Sequence, residues 1–259
     1  MLIDTHCHLD ATEFAANLPD LLNAAHAAGI GRIVAPSVSR ASFGNVQHLC
    51  ERHPHCYPAY GIHPMLTDEA TPDDLDILHS YLQNGHPVAA GEIGLDFYID
   101  GYNQQRQEYY FIEQLKLARE FALPVLLHTR RATDTVLKYL RQIRVCGGIA
   151  HAFSGSRSQA DEFIKLGFKL GFGGAFTYPR ATRLQKLAAT LPLSCIVLET
   201  DAPDMRPEFI PHGQPNKPEF LKPIAQQLAI LRGLTPEAVA QSTTDNALAV
   251  LPGLIQPPA

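Results

Sequence analysis

The chain has 259 residues, a net charge of −5, 46% hydrophobic and 18% charged content, five Cys and no Trp. That length suits one α/β barrel of about 250 residues, and the apolar share excludes a disordered chain. No apolar run approaches the ~20 residues that cross a bilayer, and the acidic balance excludes a general nucleic-acid coat while allowing an enzyme whose basic groups gather at one site. Met1 leads straight into Leu2-Ile3-Asp4-Thr5-His6-Cys7-His8 without a basic or apolar leader, so no secretory signal is expected. The Cys are scattered, without a CxxC, and read as reduced thiols of a cytoplasmic protein.

In chain order, short apolar runs at residues 2–5, 32–36, 57–61, 88–92, 125–128, 148–151, 168–171 and 196–199 predict strands. They are β-branched and lack polar alternation, as in strands buried on both faces of a parallel sheet. Between them lie helix-period segments. Residues 104–122 carry Phe111, Leu115, Ala118 and Ala122 on one stripe, and Leu221, Ile224, Ala225, Leu228 and Leu231 form another. Thr235-Pro236-Glu237 reads as an N-cap, a first-turn Pro and a first-turn acid opening a last helix. Eight strands alternating with about eight helices predict a (β/α)8 TIM barrel, one domain over residues 1–259. A doubly wound sheet is the competing architecture, and its GxGxxG signature is absent.

Acids, histidines and glycines fall at the C-terminal ends of the predicted strands, where catalytic groups of a barrel gather. His6 and His8, two apart on extended backbone, point to the same side, with Cys7 opposite towards the helices. An isolated HxH reads equally well as a pair of surface histidines. Glu92, His128, His151 and Asp201 change that balance, because a lone buried imidazole or carboxylate costs several kcal/mol unless something pairs with it. Six such ligands exceed the needs of one tetrahedral ion and suit a pair of ions about 3.5–4 Å apart, bridged by one acid. Arg130, Arg131, Arg157, Arg180, Arg206 and Lys217 follow later strand ends and, with His63, could bind phosphate oxygens. Tyr98, Tyr102 and Tyr178 lie in the same loops and could stack on a base.

The opening Ile3-Asp4-Thr5-His6-Cys7-His8-Leu9 stands with Gly61-Ile62-His63-Pro64, Gly91-Glu92-Ile93-Gly94-Leu95-Asp96 and Gln114-Leu115-Lys116-Leu117-Ala118. Further along come Leu123-Pro124-Val125, His128-Thr129-Arg130, His151-Ala152-Phe153-Ser154-Gly155 and Glu199-Thr200-Asp201-Ala202-Pro203. Together, from residue 3 to about 247, these resemble the TatD-like metal-dependent deoxyribonucleases. Arg131 after His128-Thr129-Arg130, and Asp204-Met205 after Pro203, resemble the bacterial YjjV-type branch. The resemblance implies a barrel of the amidohydrolase-like metal-dependent hydrolase kind, a centre of two divalent ions and hydrolysis of phosphodiester bonds in DNA. It implies that His6, His8 and Asp201 hold one ion and His128 and His151 the other, with Glu92 between them and His63 on the scissile phosphate. The loop Gln214-Pro215-Asn216-Lys217-Pro218 is similar to a family segment near the substrate groove. After Asn246 the chain departs from the family, with Ala247-Leu248-Ala249-Val250-Leu251 where an Arg or aromatic residues are common.

The expected reaction is metal-assisted hydrolysis, with water acidified by the ions, Asp201 as proton acceptor, Glu92 as the shared carboxylate, and Arg130 and Arg131 on phosphate. Mg²⁺, Mn²⁺ and Zn²⁺ all suit these ligands. The expected protein is a monomer that acts on DNA, as an exonuclease on single strands, without a membrane. The competing readings are a hydrolase of another ester or amide (a small phosphoester, a cyclic amide or an aminoacyl-tRNA ester) and a binding protein on a retired barrel.

Overall fold

A computed structural model describes residues 1–255. Its strands are β1 (Leu2–Asp4), β2 (Ile30–Pro36), β3 (Cys56–Tyr60), β4 (Ala89–Asp96), β5 (Val125–Arg130), β6 (Gly148–Ala150), β7 (Phe168–Phe172) and β8 (Ile196–Leu198). They pair in parallel, in sequence order, within one sheet. The intervening helices are α1 (Leu18–Ala27), α2 (Arg40–Arg52), α3 (Pro72–Asn84), α4 (Gln104–Glu120), α5 (Thr133–Gln142), α6 (Arg157–Lys165) and α7 (Thr182–Thr190), followed by α8 (Leu221–Arg232) and α9 (Pro236–Val250). This is the (β/α)8 architecture.

The sheet closes at a seam between β1 and β8. The Thr5 N–H donates to Leu198 O at 3.1 Å, Asp201 N–H to His6 O at 2.8 Å and His8 N–H to Ala202 O at 2.8 Å. Backbone bonds therefore hold the segments bearing His6, His8 and Asp201 in fixed register.

Strand boundaries differ instructively from the apolar runs. β4 continues through Asp96, pairing Gly94 with His128 and Asp96 with Arg130 after a register shift between Ala90 and Ile93. Gly94 and Asp96 look like loop residues in sequence, yet glycine is required here because a Cβ would collide with the His128 carbonyl oxygen. α4 ends at Glu120, with Ala122 exposed beyond it at φ 51°, so the stripe loses its last member. α9 opens as expected, the Thr235 hydroxyl accepting from Ala238 N–H at 3.2 Å with Pro236 in the first turn.

Two apolar layers follow from strand alternation. One packs the sheet on the helices, among them Leu127, Phe111, Leu115, Phe163 and Leu228. The other fills the barrel with Ile3, Val34, Ala59, Leu126, Ile149 and Val197, and Ala247, Leu251 and Leu254 close its floor. The aliphatic run after Asn246 is thus the plug of the barrel. Asn246 pins it by donating to Leu193 O at 2.7 Å and Ile196 O at 2.8 Å. The floor lies at the N-terminal ends of the strands, leaving the opposite end open for chemistry.

Candidate metal centre

Of the residues singled out in sequence, His6, His8, His63, Glu92, His128, His151 and Asp201 meet at the C-terminal ends of the strands. Glu92 stands at their middle, 2% exposed. Its Oε2 lies 3.1 Å from His6 Nε2 and 3.7 Å from His8 Nε2. Its Oε1 lies 3.1 Å from His128 Nδ1, 3.6 Å from His63 Nε2 and 3.9 Å from His151 Nε2. Asp201 reaches the same space from β8, with Oδ1 3.5 Å from His8 Nε2 and 3.7 Å from His6 Nε2, and Oδ2 3.6 Å from His151 Nε2. Three sets of donor atoms converge to within 4.8 Å: His6, Glu92 and His151; His6, His8 and Asp201; and His63, Glu92 and His128.

The electrostatics suit a cation. Burial would raise the Glu92 carboxyl, but the charges of His6 and His63 and hydrogen bonds from His128 and His6 hold it well below the ordinary range. Asp201 is likewise lowered, burial being outweighed by His151, His8 and His6. Burial drives His6 down, with the His151 charge adding to it. Against burial, the carboxylates raise His8 to about 9 and His151 to about 10. Two imidazole nitrogens, His6 Nε2 and His8 Nε2, stand only 3.3 Å apart, and the His6 and His151 rings stack at 3.8 Å. Ring nitrogens and ionised oxygens crowded this way form a cradle for a cation, which would replace the protons that the carboxylates draw onto His8 and His151. The donor set fits a divalent ion that accepts imidazole and carboxylate.

His63, assigned to the scissile phosphate, sits inside the donor set beside Glu92 and His128. Arg130 and Arg131 are exposed at the rim, outside it, with guanidinium carbons 3.8 and 4.5 Å from the centroid of the Tyr98 ring. Tyr98 therefore already carries cations where a base was expected to stack. Tyr102 stacks on Phe97, and Tyr178 donates to Arg206 O at 2.9 Å. Arg157 pairs with Asp161 at 3.0 Å and Arg206 bonds Ile210 O, so these two are engaged within the protein. Asn216 is buried and donates to Thr200 O at 2.7 Å, propping the segment that carries Asp201. Cys7 packs in the layer beneath the helices and donates to Ala202 O at 3.7 Å, away from the donor set.

Sequence reasoning gave no role to three buried carboxylates around the cluster. Asp96 Oδ2 is 3.0 Å from His128 Nε2. Glu199 Oε1 is 3.0 Å from His151 Nδ1, off the line of a good hydrogen bond, and accepts from Ala152 N–H at 2.6 Å. Asp4 accepts from Thr200 and from His6 N–H. A signal existed for Asp96: four residues beyond Glu92 on one strand, it shares Glu92's side of the sheet.

The sequence profile described as TatD related DNase matches residues 3–252. The chain belongs to this TatD-related family. It is a metal-dependent hydrolase, as is the Escherichia coli relative named uncharacterized metal-dependent hydrolase YjjV, 40% identical over 247 residues, 94% of this chain and 95% of that one. The crystal structure of YjjV superposes with a TM-score of 0.93 at 38% identity, covering 97% of this chain and 98% of that chain. A human TatD relative named deoxyribonuclease TATDN3 is 33% identical over 266 residues, 98% of this chain and 95% of its own. An uncharacterized amidohydrolase from Saccharomyces cerevisiae shares the fold, with a TM-score of 0.85 at 16% identity over 96% of this TatD-family chain and 99% of that one. Among the described residues no helix is long and apolar enough to cross a membrane.

Proposed function

We propose that the chain hydrolyses phosphodiester bonds in DNA, as an exonuclease on single strands, with two divalent cations held about Glu92. One observation carries the reading: the two oxygens of this single buried carboxylate face different imidazoles, Oε2 towards His6 and His8, Oε1 towards His128, His63 and His151. That is more than one tetrahedral ion uses and matches a carboxylate shared by two. His6, His8 and Asp201 would hold one ion, and His128 and His151 the other. When bound, Mg²⁺, Mn²⁺ or Zn²⁺ supplies Lewis-acid charge that acidifies water and polarises the phosphoryl group.

The chain's own groups do the rest. Asp201 takes the proton of the attacking water, since its neighbours keep it ionised and, unlike Glu92, it is not wedged among five imidazoles. His63 lies close enough to the cluster to orient a phosphate, and Arg130 and Arg131 at the rim would hold its non-bridging oxygens. The name of the human relative supports DNA as the substrate. The donor set is complete within one chain, so the proposed chemistry needs no partner subunit, and five free thiols accord with the reducing cytoplasm.

The test is end-labelled single- and double-stranded DNA, with and without chelator. Stepwise shortening of single strands that stops in chelator is expected. Glu92→Ala and Asp201→Ala should each lower the rate by about 10³-fold or more with circular dichroism unchanged. DNA left intact while a cyclic amide, small phosphoester or aminoacyl-tRNA ester is cleaved would overturn the substrate. Near-full hydrolysis by the doubly substituted protein would overturn the site.

A further inference from the structure

His128 is gripped on both ring nitrogens. Nδ1 faces Glu92 Oε1 at 3.1 Å, and Nε2 faces Asp96 Oδ2 at 3.0 Å. Asp96 is fully buried. Its Oδ1 accepts from Tyr98 N–H at 2.9 Å. Its backbone is clamped by Gln107, whose Oε1 accepts from Asp96 N–H at 2.8 Å and whose Nε2 donates to Asp96 O at 3.0 Å. A carboxylate oxygen accepts hydrogen bonds, so a proton can sit on either nitrogen of this ring. A cation held with Glu92 would take the place of the one on Nδ1, leaving Asp96 to keep the proton on Nε2. His6, by contrast, has a buried Nδ1 with no partner.

We propose that Asp96 is a positioning residue: by holding the proton on His128 Nε2 it turns the Nδ1 lone pair towards Glu92 and the cation shared there. This rests on the metal reading above and adds a residue to it. Carboxylates behind ligating histidines typically matter about 10–100-fold to metal affinity. The effect should be confined to the half of the centre that contains His128, because Asp96 touches no other donor of the cluster.

Asp96→Asn is the informative variant. It keeps the volume, but its amide can present oxygen to only one of the two N–H groups that Asp96 now satisfies. Mn²⁺ and Zn²⁺ affinities, read by chelator competition, should fall about 10–100-fold for one bound ion and stay unchanged for the other. The zinc-loaded unaltered protein gives a second readout that does not depend on Asp96→Asn folding. Long-range proton–nitrogen correlation should show a slowly exchanging proton on Nε2 of His128, identified by its loss in His128→Gln. A proton on Nδ1 instead, no protected proton, or unaltered affinity for both ions in Asp96→Asn removes the role of Asp96 and leaves the metal reading intact. An unaltered protein that takes up no ion removes both.

Discussion

Asp4 accepts both the backbone N–H of Thr200, at 2.9 Å, and its hydroxyl, at 2.6 Å, joining the first strand to the end of the last across 196 positions of chain. Both residues are fully buried. The pair locks the seam immediately before Asp201 and, through His6 N–H on the same carboxyl, immediately before the HxH segment. Thr200→Val removes the hydroxyl and leaves a buried carboxylate oxygen short of a donor, at a cost of about 1–3 kcal/mol. For a chain this size the metal-free melting temperature should drop by about 2–4 °C per kcal/mol. Calorimetry at pH 8 checks it, and an unchanged melting temperature would show that the seam does not depend on this bond.

The same carboxyl gives stability a pH dependence. Burial raises Asp4 from 3.8 to about 7, outweighing the bonds from Thr200 and His6 that lower it. With the folded value above the unfolded one, the folded state binds the extra proton, so stability from this group is fully present below about 4 and is lost as pH rises to about 7. Asp4→Asn cannot ionise. Its stability relative to the unaltered protein should therefore improve between those values and level off above, as read by denaturant unfolding in chelator. A difference that is flat across that window, or of opposite slope, contradicts the assignment.

The thiols divide by burial. Cys7, Cys50, Cys56 and Cys195 are buried and Cys146 is exposed. Burial raises the Cys56 thiol to about 12 and Cys7 well above the usual range, which starves them of the reactive thiolate. A disulfide exchange reagent at pH 8 should find one fast thiol in the native protein, lost in Cys146→Ser, and the other four only on unfolding. Two or more fast thiols would mean that the packing around Cys7 or Cys50 is looser than described.

The convergence of His6, His8, Glu92, His128, His151 and Asp201 was legible because each stands as an isolated acid or imidazole at the end of an apolar run, and the HxH spacing fixes a common side. The place of His63 was not, because it depends on how closely neighbouring strands approach. A Cβ on Gly61 would fall 2.8 Å from Glu92 O, so only glycine lets the end of β3 press onto β4 and carry His63 to Glu92. The same holds for Asp96. The Gly94–Asp96 stretch reads as a loop until its pairing with His128–Arg130 is known. Tyr98 was read as a base platform because nothing local in sequence places the guanidinium groups of β5 over a ring that follows β4.

That ring gives Arg130 a testable part. Its guanidinium lies 3.8 Å from the centroid of the Tyr98 ring, a cation–π contact that orders the side chain while leaving it exposed. Tyr98 is in turn tied by its N–H to Asp96, so the pair is anchored to the candidate centre. If Arg130 contacts a phosphate of a single strand, Arg130→Ala should raise KM with little change in kcat. It should also lower the slope of log kcat/KM against log salt by about 0.7, the counterion share of one contact. Tyr98→Leu keeps the charge but frees the side chain, so KM should rise less and the salt slope should hold. A salt slope unchanged in Arg130→Ala would place the phosphate contacts elsewhere on the rim.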